Sequence, residues 1–266
     1  MLELNQVYEG DCLEVMKGID DGSVNMVMAD PPYGTTACKW DSIIPLEPMW
    51  TQLKRVIKPN GAIVMTASQP FTTVLISSNM RMFKYCWVWD KKKGGNIMSL
   101  KWQPYKIHED VIVFCSSTVN YYPIKTPQRK RTGKTYSVGE ANGIKNYGDV
   151  RVYKDKYPKS IIEVSNADQK GKTHPTQKPV ALMEYLIKTY TNECETVLDF
   201  CAGSGTTGVA CKITKRNFIL IEQEEKYVKI ARQRIKNPDY KPPKPKTNQQ
   251  PGLFPQNEID ELTKIK

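Results

Sequence analysis

Two short stretches of this chain carry residue types able to do chemistry together. The first is Asp30-Pro31-Pro32-Tyr33, which follows the apolar run VNMVM (24–28) directly. Such a run reads as a buried strand, and ligands of open α/β sheets gather beyond the carboxyl ends of strands. Two prolines fix φ and stiffen the loop. A carboxylate, a backbone carbonyl and an aromatic face are thereby held in one arrangement, suited to gripping a flat polar molecule. The second stretch is Asp199-Phe200-Cys201-Ala202-Gly203-Ser204-Gly205-Thr206-Thr207, which runs off the strand TVLDF (196–200) and opens a helix over 206–214. Glycines there let backbone approach a ligand closely, and a helix N-terminus offers unpaired N–H groups.

Glu222 lies just past the next strand, NFILI (217–221). An acid at that point of a doubly wound sheet can accept both hydroxyls of a ribose. A glycine pair alone serves many tight turns. Strand, turn, helix, strand and acid in succession describe a nucleoside pocket. No Gly-Lys-Ser or Gly-Lys-Thr follows, so the turn is not a phosphate loop, and Gly208 is read as coming too early for the third glycine of the dinucleotide fingerprint. S-adenosylmethionine, a nucleoside without a long phosphate chain, fits this pattern.

The elements that must position these loops follow from periodicity. Leu46, Met49, Trp50, Leu53, Val56 and Ile57 recur at helical spacing. Pro59-Asn60-Gly61 reads as a turn, AIVMTA (62–67) as a strand, 70–78 as a short helix, and FKYCWVW (83–89) and DVIVFC (110–115) as strands. A helix starting at Pro179 covers 179–190, and another covers 224–236. Strands alternating with helices imply a mostly parallel, doubly wound α/β sheet covered on both faces. We divide the chain into a first half of this domain (1–115), an inserted basic segment (116–172), a second half (173–236) and a Pro/Lys-rich flexible tail (237–266) with six prolines.

The 266 residues carry a net charge of +11. The insertion holds twelve Lys and Arg against five Asp and Glu, interleaved with six tyrosines. Cations mixed with aromatics suit nucleic acid, and a solvated surface loop is the plainer reading. Seven cysteines without a Cys-x-x-Cys pair, and only His108 and His174, argue against a disulfide framework or a metal centre. No apolar stretch approaches the roughly 20 residues of a membrane span. The opening MLELNQVYEGDC has neither a basic start nor an apolar core, so no secretory signal is expected and the protein is expected in the cytoplasm.

Asp30-Pro31-Pro32-Tyr33, a basic insertion, His174-Pro175-Thr176-Gln177-Lys178-Pro179 and then the Gly203-Ser204-Gly205 turn, in that order, resemble the beta class of amino-group DNA methyltransferases, over about residues 5–235. The resemblance implies a seven-stranded sheet with one antiparallel strand, S-adenosylmethionine as methyl donor, no metal, and double-stranded DNA as substrate. Asp30, Pro31, Pro32 and Tyr33 would be catalytic: the carboxylate and the Pro31 carbonyl accept the N–H bonds of an exocyclic amine, and Tyr33 stacks on a base rotated out of the duplex. The donor would be held by Asp11, Cys12, Asp30, His174, Thr176, Lys178, Phe200, Cys201, Gly203, Ser204, Gly205, Thr206, Thr207 and Glu222. Within that set, Asp11 could equally be only a helix cap. The family turn usually has an aromatic where Cys201 stands; either Phe200 supplies that ring or Cys201 simply packs there. Apart from the resemblance, Lys91, Lys92 and Lys93 follow the strand ending at Trp89 and would either line the DNA cleft or form a solvated turn, and Arg129, Lys130, Arg131 and Lys134 of the basic insertion would meet DNA. His108-Glu109-Asp110 resembles a family segment near the target base, and we assign it no catalytic role.

Methylation at cytosine carbon 5 needs a thiolate, in its own family from a Pro-Cys dipeptide, and no cysteine here follows a proline. Relatives acting on cytosine N4 commonly have Ser in place of the Asp, so Asp30 favours adenine N6, with cytosine N4 as the alternative. RNA or a protein amide is a further substrate reading, and a DNA-binding scaffold without activity is another. The resemblance leaves room for a homodimer and for a companion restriction endonuclease. The recognised DNA sequence depends on groove contacts that the residues alone do not reveal.

Overall fold

The computed structural model describes residues 2–35, 41–134, 150–166 and 177–237. Its strands are β1 (Gln6–Glu9), β2 (Val24–Ala29), β3 (Ile57–Ala67), β4 (Phe83–Asp90), β5 (His108–Phe114), β6 (Thr126–Lys134), β7 (Val150–Lys156), β8 (Ile161–Glu163), β9 (Thr196–Asp199) and β10 (Asn217–Glu222). Eight of them form the central sheet in the order β1-β10-β9-β2-β3-β5-β4-β8. β5 is antiparallel to both β3 and β4, and every other neighbouring pair is parallel. The expected seven strands with one reversed are present. The three-residue β8 adds an eighth at the edge, where Val88 faces Ile161.

All six residues of β2 are buried, because helices cover both faces of a parallel sheet. Met26 and Met28 point into the cluster beneath α4 (Val180–Tyr190), α5 (Thr206–Thr214) and α6 (Glu225–Lys236). Val27 and Ala29 point the other way, into the cluster under α1 (Cys12–Met16), α2 (Leu46–Val56) and α3 (Phe71–Ser78). α2 forms on the spacing read above: Met49, Trp50, Leu53 and Val56 are buried, each contributing roughly 1.5–3 kcal/mol of apolar transfer. The Trp50 ring meets Phe114 edge-on at 4.9 Å, and its indole N–H donates to Ser78.

Pro59-Asn60-Gly61 is not a turn between elements. It is an excursion within β3: between the pairs Val24–Ile57 and Met26–Ala62, β2 advances two residues and β3 five. β1 and α1 are too short to show a period, and the sequence reading passed over them. In the basic segment, β6 and β7 pair as a separate antiparallel ribbon. Tyr121 instead packs against Trp87 and Tyr190, and the Tyr122 N–H donates to the Thr189 carbonyl. These two rings therefore belong to the main domain's packing. The tail from 238 onward lies outside the described residues.

The connections define where a ligand fits. α5 leads from β9 to its neighbour β10 on one face, while α2 leads from β2 to its neighbour β3 on the other. β9 and β2 are themselves paired, so their connections depart in opposite directions. That is a topological switch point, and the crevice beyond its carboxyl ends is the binding place of such folds. The Asp30 loop leaves β2 there, and the glycine turn leaves β9.

Candidate active site at the carboxyl edge of the sheet

The Asp30 loop is over-determined by hydrogen bonds. Asp30 Oδ1 accepts from the Tyr33 hydroxyl at 2.7 Å and from Thr66 Oγ1 on β3. Asp41 is buried and turns its carboxylate onto the loop from the far side. Its Oδ1 accepts from the N–H of Tyr33 (2.8 Å) and Gly34 (2.9 Å), and its Oδ2 from that of Thr35 (2.9 Å). The Tyr33 ring stacks on Phe71 with centroids 5.4 Å apart and planes 20° apart. Burial, with Asp30 and Glu109 nearby, holds the Tyr33 phenol well above its usual pKa, so it remains a donor.

Asp30 Oδ2 accepts from Lys178 Nζ at 2.6 Å. The same ammonium lies 3.3 Å from Glu109 Oε2, and Glu109 Oε1 takes Lys91 Nζ at 2.9 Å. Two carboxylates and two ammonium groups alternate in a chain across β2, β5, the end of β4 and the start of α4. Burial works against a charged lysine here, yet Asp30 and Glu109 carry the Lys178 pKa above its ordinary value. Burial likewise opposes the Glu109 carboxylate, and Lys178 and Lys91 pull it down overall. Lys178, expected on the methyl donor, is paired with Asp30 and Glu109. Lys91, expected on DNA, is paired with Glu109 and only 13% exposed at its side chain.

The glycine turn is built differently. Gly205 has φ +76°, and a Cβ there would stand 2.7 Å from that of Ala231 on α6. Gly208, expected to come too early for the dinucleotide fingerprint, does complete its Gly-x-Gly-x-x-Gly spacing with Gly203 and Gly205, so that expectation is wrong. A Cβ on it would meet Ile235 and Leu220 at 2.7 Å, so it serves close packing of helix on strand. That spacing is shared with dinucleotide folds, so the turn alone does not choose the ligand.

Ser204, Thr206 and Thr207, expected on the donor, turn their hydroxyls inward. Arg234 Nη1 donates to the Ser204 carbonyl and hydroxyl and to Thr206 Oγ1, and Thr207 Oγ1 donates to Asp199 Oδ2 at 2.6 Å. A buried guanidinium must satisfy its donors, and these oxygens do so. Phe200 is 2% exposed within the core cluster, so it supports the crevice from below and does not supply a wall ring. Cys201 is partly exposed, with its N–H on Asp199 Oδ1.

Three acids ring the turn. Glu222 Oε2 accepts from the Gly203 N–H at 2.7 Å and its Oε1 from Glu224 N–H at 2.9 Å; burial raises its pKa. Asp199 is raised to about 7, chiefly by burial. Asp11 is exposed and caps α1, its Oδ1 accepting from Leu13 and Glu14 N–H. Burial also pushes up the thiols of Cys201 and of Cys12, the latter to about 11. Neither is a thiolate at neutral pH.

His174 and Thr176 lie outside the described residues, as does the Lys134 side chain. Lys92 is paired with Asp90 (2.8 Å) and Glu163 (2.6 Å). Lys93 is exposed, and so are Arg129, Lys130 and Arg131 on β6. The sequence reading missed Asp41, whose partners are N–H groups six to eight residues back in the same loop, and set Glu109 aside, whose partners Lys91 and Lys178 come from other elements. It also missed the exposed apolar loop beside Lys93, where Met98 and Trp102 are 90% and 81% exposed. Among the described residues no helix is long and apolar enough to cross a membrane. A wide groove lined by Asn5, Cys194, Lys212, Arg216 and Arg232 lies at the opposite, amino edge of the sheet, away from these groups.

Residues 24–233 match the DNA methylase family N6_N4_Mtase. The chain belongs to this family. Type II methyltransferase M1.MboII of Moraxella bovis is 27% identical over 260 residues, 87% of this chain and 96% of its own. Type II methyltransferase M2.DpnII of Streptococcus pneumoniae is 28% identical over 252 residues, 86% and 88% respectively. Among solved structures, that of the M1.HpyAVI-SAM complex superposes with a TM-score of 0.58 at 26% identity, over 86% of this chain and 98% of that one. The cytosine-N4-specific PvuII DNA methyltransferase gives 0.63 at 16% identity, over 96% and 90%, a likeness of fold.

Proposed function

We propose that the protein transfers the methyl group of S-adenosylmethionine to the exocyclic N6 amine of adenine in double-stranded DNA. The observation that carries this is the meeting of Asp30-Pro31-Pro32-Tyr33 with the glycine turn at one switch point. Asp11 and Glu222 beside the turn suit a cationic, hydroxyl-bearing nucleoside better than a pyrophosphate. That favours S-adenosylmethionine over the dinucleotides that share the glycine spacing. The name of the M1.HpyAVI complex gives the same ligand to a relative.

When bound, the donor supplies an electrophilic methyl carbon on a sulfonium. The adenine amine is conjugated with its ring and is a poor nucleophile. Asp30 and the Pro31 carbonyl accept its N–H bonds and hold the nitrogen lone pair toward the methyl group. Transfer would form the N–C bond as the C–S bond breaks with its electron pair left on sulfur, and the amine's surplus proton would pass to water. The protein's part is positioning and electrostatics. Tyr33 supports a base taken out of the stack, and Glu222 receives the ribose. Lys93 and the ribbon cations Arg129, Lys130 and Arg131 lie toward phosphate, with 116–172 as the recognition segment. A homodimer and a companion endonuclease belong to the same proposal; sedimentation at micromolar protein tests the first.

Mass spectrometry of nucleosides, after incubating the protein with S-adenosylmethionine and mixed-sequence duplex, tests the reading. N6-methyladenine, abolished by Asp30→Ala, supports it. N4-methylcytosine keeps the mechanism and overturns the choice of base. Methylation of RNA or protein alone overturns DNA as the substrate.

A further inference from the structure

Lys178 stands in the way of the chemistry just proposed. Both oxygens of Asp30 are engaged: Oδ1 by Tyr33 and Thr66, Oδ2 by the Lys178 ammonium at 2.6 Å. That ammonium also lies 5.7 Å from the centroid of the Tyr33 ring, whose stacking contact with Phe71 already occupies one face. An amine coming to Asp30 and a base coming to Tyr33 both approach ground that Lys178 holds. The lysine is 8% exposed and its neighbour Pro179 starts α4. It has little room to withdraw into solvent and needs a second partner inside the site.

Glu109 offers one. It sits at the start of β5, the reversed strand, which brings its first residues to the same sheet edge as the end of β2. Its Oε1 is fixed by Lys91. Its Oε2 is buried and ion-paired with Lys178 Nζ at 3.3 Å, without the alignment of a full hydrogen bond. A shift of Nζ by about half an ångström would bring the contact to the ~2.8 Å of a charge-assisted bond and loosen the one to Asp30.

We propose that Glu109 is a positioning residue that takes Lys178 from Asp30 when the target base enters, opening Asp30 Oδ2 to the amine. Lys178 thus exchanges between two carboxylates, and Lys91 keeps the receiving one in place. This rests on the functional reading above. The exchange moves an ammonium and breaks no covalent bond.

The test is Glu109→Gln, with single-turnover methyl transfer to duplex DNA and S-adenosylmethionine affinity measured on the same preparation. The expected result is a rate about 30-fold lower with the donor Kd within twofold. In Lys178→Met, adding Glu109→Gln changes the rate less than twofold, since the residue it serves is gone. Glu109→Asp keeps the charge balance, and with it the fold, while drawing the carboxylate back by one methylene. It shows the same split at about fivefold, and carries the test if the Gln variant loses its circular dichroism spectrum. An unchanged rate in Glu109→Gln, a parallel loss of donor affinity, or full additivity with Lys178→Met would overturn the exchange while leaving the methyltransferase reading intact. A wild-type protein that methylates no DNA overturns that reading, and this inference with it.

Discussion

The Asp30 loop and the glycine turn leave adjacent strands, β2 and β9, and face one crevice, yet they are held in opposite ways. The Asp30 loop is fixed by side-chain hydrogen bonds: Asp41 within the loop, Thr66 from β3, and Lys178 from a position 148 residues along the chain. The glycine turn is fixed by backbone shape, by the close approach of α6, and by Arg234, which gathers the turn's oxygens from within. In one region the chemically capable side chains face the crevice. In the other, the hydroxyls of Ser204 and Thr206 accept from the buried Arg234 and that of Thr207 donates to Asp199. A motif of polar residues is therefore not a list of ligand contacts, because the hydroxyls of Ser204, Thr206 and Thr207 maintain the turn.

That difference also separates what the sequence discloses from what it hides. Buried strands such as β2 and β10 announce themselves as unbroken apolar runs, and α2 by its 3.6-residue stripe. Asp30 and Glu222 are legible because each is an acid immediately beyond such a strand. Asp41 and Glu109 are not, since their roles depend on which N–H or ammonium groups the tertiary fold delivers. The inward turn of Thr206 was hidden for the same reason: its partner Arg234 belongs to another helix. The family expected from the order of the motifs is the one the chain belongs to. Lys91 and Lys178 meet through Glu109 because the reversed strand β5 puts a carboxylate between them.

Breaking the backbone-held region should have a large effect on the fold. Gly205→Ala forces a side chain into the left-handed region and against Ala231. It should cost about 2–4 kcal/mol of stability, read as a lower midpoint in urea, and weaken donor binding as well. Breaking the side-chain-held region should be milder for the fold and selective for chemistry. Asp41→Asn keeps an acceptor but removes the charge that three N–H groups share. A loss of about 1–2 kcal/mol and a transfer rate about tenfold lower are expected, with donor affinity unchanged by calorimetry.

A smaller effect sharpens the contrast within the glycine turn. A carboxyl whose pKa is raised on folding favours the folded state while it is protonated. For Asp199, at about 7 against 3.8, the contribution is full below about pH 4 and is lost as pH rises toward 7. Asp199→Asn removes that titration, so the fall in thermal midpoint between pH 4 and 7 should become shallower. An identical slope in both proteins would show that Asp199 does not titrate there.

The division of labour between the two loops is tested most directly by one paired measurement on Asp30→Ala. S-adenosylmethionine affinity is read by calorimetry, and single-turnover methyl transfer to duplex DNA is followed on the same preparation. We predict transfer lower by about 10³-fold, in line with removal of a group aimed at the reacting centre, and a donor Kd within threefold of wild type. Transfer that survives the substitution, or donor affinity that falls in step with it, would contradict the assignment of Asp30 to the target base.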